Sequence, residues 1–371
     1  MNQYFEHVKR NFGFGCMRLP MKDGAVDYQE FSQMVDTFLE EGFNYFDTAH
    51  GYIGGKSEIA LRECLVKRHP RDRYLLTNKL TSEYFHKEAD IRPFFESQLS
   101  ICGVDYFDFY LMHAQTAENY KKFTACRAYE IAQELKAEGK IRHVGLSFHD
   151  SAPVLDRILT DHPEIEVVQI QFNYADYEDK VVQGRLCYEV CRKHNKPMIV
   201  MEPVKGGALV NLPQQANELL KSLNGGSPAS YAIRYAASFE GIAMVLSGMS
   251  NMEQLTENLR FMKEFQPLSP QEFAAIDRVQ ELFRAQELIP CTACRYCIDG
   301  CPQTIAIPDL FACMNAKKQY QDWNSDWYYG IHTQSCGKAS DCIACGKCED
   351  ICPQHLEIIQ LLKDVSAVFD K

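Results

Sequence analysis

Eight short β-prone runs, each parted from the next by a stretch with helical spacing, limit what the first 265 residues of this chain can become. The runs are GFGCM from Gly13, FNYFD from Phe43, YLLTNK from Tyr74, FDFYLMH from Phe107, HVGLS from His143, VVQIQF from Val167, PMIVME from Pro197 and IAMVLSG from Ile242. Strand runs alternating with amphipathic helices predict βα units and a parallel sheet, and eight units in roughly 250 residues is the repeat number of a closed (β/α)8 TIM barrel. A doubly wound sheet would more often use fewer strands and open on a glycine-rich turn. The early GFG lacks the third glycine of a dinucleotide fingerprint and precedes no helix start, so a tight turn is expected at Gly13 to Gly15. Among the helical stretches, QEFSQMVDTFLEEG places Phe31, Val35, Phe38 and Leu39 on one face and stops at Gly42. ACRAYEIAQELKAEGK repeats that grammar and stops at Gly139.

The alternation ends at Pro267 and Pro270, which places a domain boundary near residue 266: residues 1–265 form the α/β barrel, and 266–371 a second, mainly helical domain. Here CTACRYCIDGCP, from Cys291, returns as CIACGKCEDICP, from Cys342, with every cysteine displaced by 51 positions. Both runs read Cys-x2-Cys-x2-Cys-x3-Cys-Pro. That is the spacing of bacterial ferredoxins that carry two [4Fe-4S] clusters, in which the fourth cysteine of each run ligates the other cluster. One cluster is therefore expected on Cys291, Cys294, Cys297 and Cys352, and the other on Cys342, Cys345, Cys348 and Cys301. Zinc is the structural alternative, but zinc sites usually spread two pairs of ligands rather than three close cysteines and a distant fourth.

The remaining eight of the sixteen cysteines, Cys16, Cys64, Cys102, Cys126, Cys187, Cys191, Cys313 and Cys336, are scattered and read as small core hydrophobes. The N-terminus has no apolar segment of signal-peptide length, and no run approaches the roughly 20 apolar residues of a membrane span. A cytoplasmic location is expected, where thiols stay reduced and metal ligation explains a cysteine pattern better than disulfides do. With a net charge of −11 and no Lys/Arg block, the chain is not expected to bind nucleic acid or a membrane.

Chemistry in a (β/α)8 barrel sits at the C-terminal ends of the strands. Four polar residues close or follow successive runs: Asp47 after the second, Tyr52 in the loop beyond it, Lys79 at the end of the third and His113 at the end of the fourth. Singly, a buried lysine reads as half of a structural ion pair and a histidine as a satisfied core residue. Their placement on successive strand ends points to a shared site.

In the motifs FDTAHGY, LTNKL and YLMHA the chain resembles the aldo-keto reductase superfamily, and with the cysteine runs it resembles a subgroup carrying a C-terminal ferredoxin-like domain. The resemblance implies an oxidoreductase that moves a hydride between NAD(P)H and a carbonyl or alcohol. Tyr52 would protonate the developing alkoxide, Lys79 would lower the phenol's pKa, Asp47 would hold the lysine, and His113 would donate to the carbonyl oxygen. It also implies Ser147 and Gln169 as partners of the carboxamide, Met201 where a tyrosine usually stacks on the nicotinamide, and SGMSNMEQLTEN as the adenosine-phosphate loop. In that loop Ser247, Gly248 and Gln254 are the expected contacts, with Glu257 and Asn258 near the adenine and no arginine or lysine for a 2′-phosphate. Ser147 is followed by Phe148-His149 where Ser-Asn is usual.

A cube moves single electrons and nicotinamide moves pairs, so a flavin is a further candidate cofactor, and a ferredoxin or flavodoxin a candidate redox partner. Three readings follow: an enzyme whose clusters supply or accept electrons, a carbonyl reductase with structural clusters, and a non-enzymatic electron carrier. The intact tetrad argues against the third. The loops AQTAENYKKF and NYADYEDK, which would shape a substrate pocket, carry no diagnostic charge pattern. In the insert between the cysteine runs, IPDLFACMNAKKQY reads as a helix, and Trp323, Trp327, Tyr328 and Tyr329 as packing residues.

Overall fold

The structure is a computed structural model that describes residues 3–178, 182–223, 226–284, 288–291, 293, 295–320 and 324–370. It divides into two compact units, residues 1–211 with 220–276, and residues 212–219 with 277–371.

The first unit is a closed barrel of eight strands: β1 (Phe12–Gly15), β2 (Tyr45–Asp47), β3 (Leu75–Leu80), β4 (Phe107–Gln115), β5 (Ile141–Phe148), β6 (Val167–Gln171), β7 (Met198–Met201) and β8 (Ile242–Gly248). Every neighbouring pair is parallel, and β1 closes the ring between β2 and β8. Each expected run thus yields a strand. Alternation along the strands sends one set of side chains inward, where Tyr45, Leu75, Phe109, Leu111, Val167, Ile199, Met244 and Leu246 fill the barrel and Phe5 joins them. The other set meets the helices. Phe14 on β1 and Phe46 on β2 pack edge-on against Phe38 of the helix Tyr28–Glu40, whose first turn is capped by Asp27 accepting from the N–H groups of Gln29 and Glu30. Removing a phenylalanine of this size from water contributes about 1.5–3 kcal/mol.

Two local expectations are corrected. The segment Gly13 to Gly15 is β-strand rather than a tight turn, and Gly13 serves a packing need, since a Cβ there would lie 2.7 Å from Leu246 Cδ2 and 2.9 Å from Tyr45 Cδ1. The stretch from Ala125 to Lys140 is not one helix. The chain breaks at Cys126 and Arg127, where Arg127 adopts φ 53°, so helices Ala117–Ala125 and Ala128–Ala137 lie either side and most of the loop expected after His113 is helical.

The second unit gathers helices Tyr296–Asp299, Ile307–Tyr320, Asn324–Ser335, Lys347–Asp350 and Ile358–Phe369 around a core that includes Ile305, Leu310, Phe311, Leu362 and Val365. Tyr329 packs as expected: its ring stacks on Phe369 at 4.5 Å, while its hydroxyl donates to Asp370 and accepts from the Ala339 N–H. Trp323 lies outside the described residues. Among the described residues no helix is long and apolar enough to cross a membrane.

Candidate active site and cluster cavities

Parallel pairing sets Asp47 beside Thr77 on β3, two residues before Lys79, so the ends of β2 and β3 bring the tetrad together. Lys79 Nζ donates to Asp47 Oδ1 at 2.6 Å, to the Thr48 carbonyl at 2.8 Å and to the Tyr52 hydroxyl at 3.2 Å. The ring of His113, from the end of β4, meets Tyr52 edge-on at 6.1 Å, and its Nδ1 lies 2.7 Å from Thr81 Oγ1. All four sequence-derived residues therefore share one constellation.

A buried network behind it has little signature in the sequence. Glu58, fully buried, is 2.7 Å from His50 Nδ1 and accepts from Asn78 Nδ2 at 2.7 Å, while Gln98 donates to Asn78 Oδ1 and to the Lys79 carbonyl. Ser57 Oγ donates to the Cys16 carbonyl, fixing the far end of the loop that carries Tyr52. These bonds position both partners of the Lys79–Tyr52 contact; Gln98, nearly three turns into the helix Glu88–Cys102, could not be assigned to them from periodicity.

Burial dominates the electrostatics. It works against the Lys79 ammonium, yet Asp47 and Tyr52 beside it hold the lysine above its ordinary value, so it stays charged. Burial pushes the Asp47 carboxyl up while Lys79 pulls it down. For Tyr52 the sequence reading had Lys79 lowering the phenol's pKa; Lys79 does pull that way, but burial outweighs it and the phenol stands above its usual value. Tyr52 is accordingly a protonated group at neutral pH. Burial, helped by the Lys79 charge, lowers His113 to about 3, which makes it neutral. In the tautomer in which Nδ1 accepts from the Thr81 hydroxyl, the ring carries its N–H at Nε2. His149 also feels Lys79 and lies close enough to depress His113, so a second neutral imidazole belongs to this mouth.

The candidate cofactor residues separate into two groups. Ser247, Gly248, Gln254, Glu257 and Asn258 line one cavity of about 250 Å³, together with Arg18 and the loop Glu202 to Gly207. Ser147, Gln169 and Met201 are not in its wall. Ser147 Oγ accepts from the Ala114 N–H, Gln169 Nε2 donates to Asp47 Oδ2 at 3.4 Å, and Met201 ends β7 paired with Gln171. Ser147 and Gln169 are themselves paired in register, one strand end from the next.

In the second unit, two cavities sort the cysteines. One is lined by Cys301, Cys342, Cys345 and Cys348, the other by Cys291, Cys297 and Cys352; Cys294 lies outside the described residues. Each therefore takes three close cysteines, or the described two of three, from one run and the fourth from the other. The likeness extends to the backbone. Ala293 and Ala344 share φ 53°, Thr304 and His355 share φ 51°, and Arg295 and Gly346 are left-handed at 66° and 80°. Turned N–H groups of this kind form concavities that suit anionic iron-sulfur centres. The donor set fits that chemistry: soft cysteine sulfurs, apolar walls from Ile305, Ile307, Ile358 and Leu362, and no His, Asp or Glu among the described lining residues. Of the scattered cysteines, all but Cys336 are buried, in keeping with packing roles.

Residues 11–281 match the model of the aldo/keto reductase family. The chain belongs to that family. Residues 290–357 match a 4Fe-4S dicluster domain, which covers both cysteine runs. This aldo/keto reductase is 28% identical over 211 residues to an NADH-specific methylglyoxal reductase of Escherichia coli, an alignment spanning 51% of this chain and 61% of that one. It is 25% identical to an NAD(P)H-dependent D-xylose reductase of Scheffersomyces stipitis, over 72% of this chain and 89% of that one. An aldo-keto reductase of Klebsiella pneumoniae in complex with NADPH shares the fold, with a TM-score of 0.60 at 20% identity over 73% of this chain and 90% of the other. The protein is thus an oxidoreductase by family, with an iron-sulfur domain appended to the barrel.

Proposed function

We propose that the barrel interconverts a carbonyl and an alcohol with NAD(P)(H), and that two [4Fe-4S] clusters in the second unit carry electrons for the enzyme. The observation that carries the first part is the Asp47–Lys79–Tyr52 chain of contacts beside a neutral His113. Bound nicotinamide would supply or take a hydride, and a bound cube would hold single electrons. In the reductive direction the Tyr52 hydroxyl, protonated at neutral pH, gives its proton to the substrate oxygen as the carbonyl carbon gains the hydride. Lys79 stabilises the phenolate left behind, Asp47 keeps the lysine charged and in place, and the His113 Nε2–H orients the same oxygen. Reprotonation of Tyr52 from solvent closes the balance.

The cluster assignment rests on the two cavities: Cys291, Cys294, Cys297 and Cys352 would hold one cube, and Cys342, Cys345, Cys348 and Cys301 the other. A flavin, or a one-electron donor such as a ferredoxin or flavodoxin, would match the cubes to a two-electron reaction. The second reading, clusters that only staple the fold, is favoured by one observation: Cys297, Cys348 and Cys352 are each under 10% exposed and belong to the apolar core of their unit. Anaerobic protein assayed with NADH or NADPH alone, beside a reduced low-potential donor, separates the two. Donor-dependent turnover with cluster signals that bleach and recover is expected; full activity on nicotinamide with unchanged clusters would leave only the staple. In either case Tyr52→Phe should lower carbonyl reduction by about 10²–10⁴-fold with dinucleotide affinity retained, and a Tyr52→Phe enzyme of near-normal turnover would remove the tetrad from the chemistry.

A further inference from the structure

Among the described residues, the wall of the 250 Å³ cavity contains two carboxylates, Glu202 and Glu257, and a single cationic side chain, Arg18. Arg18 comes from the loop after β1, far in sequence from the adenosine loop that follows β8. Pairing of β1 with β8 sets Gly15 opposite Gly248, and Ser250 Oγ donates to the Arg18 carbonyl at 3.3 Å, which ties the two loops together. The arginine stem lies across Gly248: a Cβ at that glycine would sit 3.2–3.4 Å from Arg18 Cβ, Cγ and Cδ. Its guanidinium reaches Gly206, where a Cβ would be 3.4 Å from Arg18 Nη2 and 3.7 Å from Glu202 Oε2. Arg18 and Glu202 therefore both lie beside Gly206, yet among the described residues neither side chain forms an ion pair. The chain beneath is left-handed at three consecutive positions, Lys205, Gly206 and Gly207, with φ of 48°, 63° and 105°.

From this arrangement, and resting on the NAD(P)(H) reading above, we propose that Arg18 is the clamp for the dinucleotide's diphosphate, presenting its guanidinium to the phosphates from beside the Gly206–Gly207 backbone. A cavity with two carboxylates repels a doubly charged diphosphate unless a cation meets it, and Arg18 is the cation present. A planar guanidinium can give paired hydrogen bonds to phosphate oxygens. The carboxylates suit the rest of such a ligand, whose ribose hydroxyls and adenine amine are donors. Because the guanidinium stands by Gly206 at the strand-end side of the cavity, the group it meets is common to NADH and NADPH.

The test uses full-length, anaerobically prepared protein and fluorescence or calorimetric titration with NADH, NADPH, ADP-ribose and adenosine. Arg18→Gln should raise Kd for NADH, NADPH and ADP-ribose by one common factor of about 10–100, the range of a lost charge-assisted hydrogen-bond pair, and leave adenosine unchanged. Arg18→Lys should lose less. Arg18 is exposed, so both variants should melt like the wild type. A loss confined to NADPH would assign Arg18 to the 2′-phosphate and overturn the proposal, as would unchanged affinities or a wild type that binds none of the three diphosphates. If wild type binds ADP-ribose and the variant does not, but NADH and NADPH support no turnover, the proposed reaction falls and the clamp stands.

Discussion

The Nζ atom of Lys79 stands 3.2 Å from the Tyr52 hydroxyl and 4.8 Å from the centre of its ring, so one ammonium touches both the acidic group and the π face of the same residue. It does so while wholly buried, with Asp47 as its counter-ion at 2.6 Å. Lys79→Met should consequently harm two things at once. Turnover should fall because the phenolate loses its stabilising charge. Stability should fall by about 3–5 kcal/mol because a buried carboxylate is left without a cation. Adding Asp47→Asn should restore most of the stability and none of the activity, as read from urea melts beside initial rates. If Lys79→Met melts like the wild type, Asp47 is not ionised in the folded enzyme.

His113 makes a prediction about acid. Its folded pKa of about 3 is below its unfolded value near 6.5. Between those values the unfolded chain binds the extra proton and the folded one does not. The sign is then fixed: stability falls as pH drops from about 6.5 towards 3, and this contribution is complete above 6.5. His113→Asn should flatten the dependence of the barrel's melting temperature over that window. The same neutral ring means that activity should not lose a step to His113 protonation between pH 7 and 5. A His113 NMR titration with a midpoint near 6.5 would contradict both statements.

The parts of this molecule that could be foreseen are those set by local pattern. Strand runs such as IAMVLSG, which became β8 without change, announce themselves because β-branched and apolar residues cluster between helices. Asp47, Lys79 and His113 stand out because each closes such a run. Arg18 had no such signal: its partners Gly206 and Gly248 reach it only through barrel closure. The break at Arg127 was hidden because the apolar spacing runs on either side of it, and a left-handed arginine has no pattern of its own. Glu58 has no sequence signal either; only its depth makes it the hub that links His50 to Asn78.

The crossing of cysteines between cavities predicts paired, opposite lesions. Cys301→Ala should remove one ligand from the cluster held by Cys342, Cys345 and Cys348, and Cys352→Ala should do so to the cluster on the first run. Mössbauer or EPR spectra of the two reduced variants should show complementary losses, with iron content falling from about eight per chain. Loss of the same signal in both variants would mean that each run closes its own cluster.

The two cavities differ at one turn, and the difference has a measurable consequence. Arg295 occupies a left-handed turn at φ 66° where its counterpart is Gly346 at 80°. A non-glycine residue in that conformation costs about 1–2 kcal/mol. What Arg295 gains in return is a two-pronged contact with Asp309, at 3.0 and 2.9 Å, on a side chain 57% exposed, where ion pairs contribute about 0–1 kcal/mol. The balance favours glycine, so Arg295→Gly should leave the unit as stable or up to about 2 kcal/mol more stable, whereas Gly346→Arg should lose about 1–2 kcal/mol because no aspartate corresponding to Asp309 waits there: the position 51 residues on is Gln360. Loss of cluster absorbance in urea, followed anaerobically, reads both. Should Arg295→Gly cost more than about 2 kcal/mol, the Arg295–Asp309 pair would be stabilising its cavity well beyond an exposed ion pair.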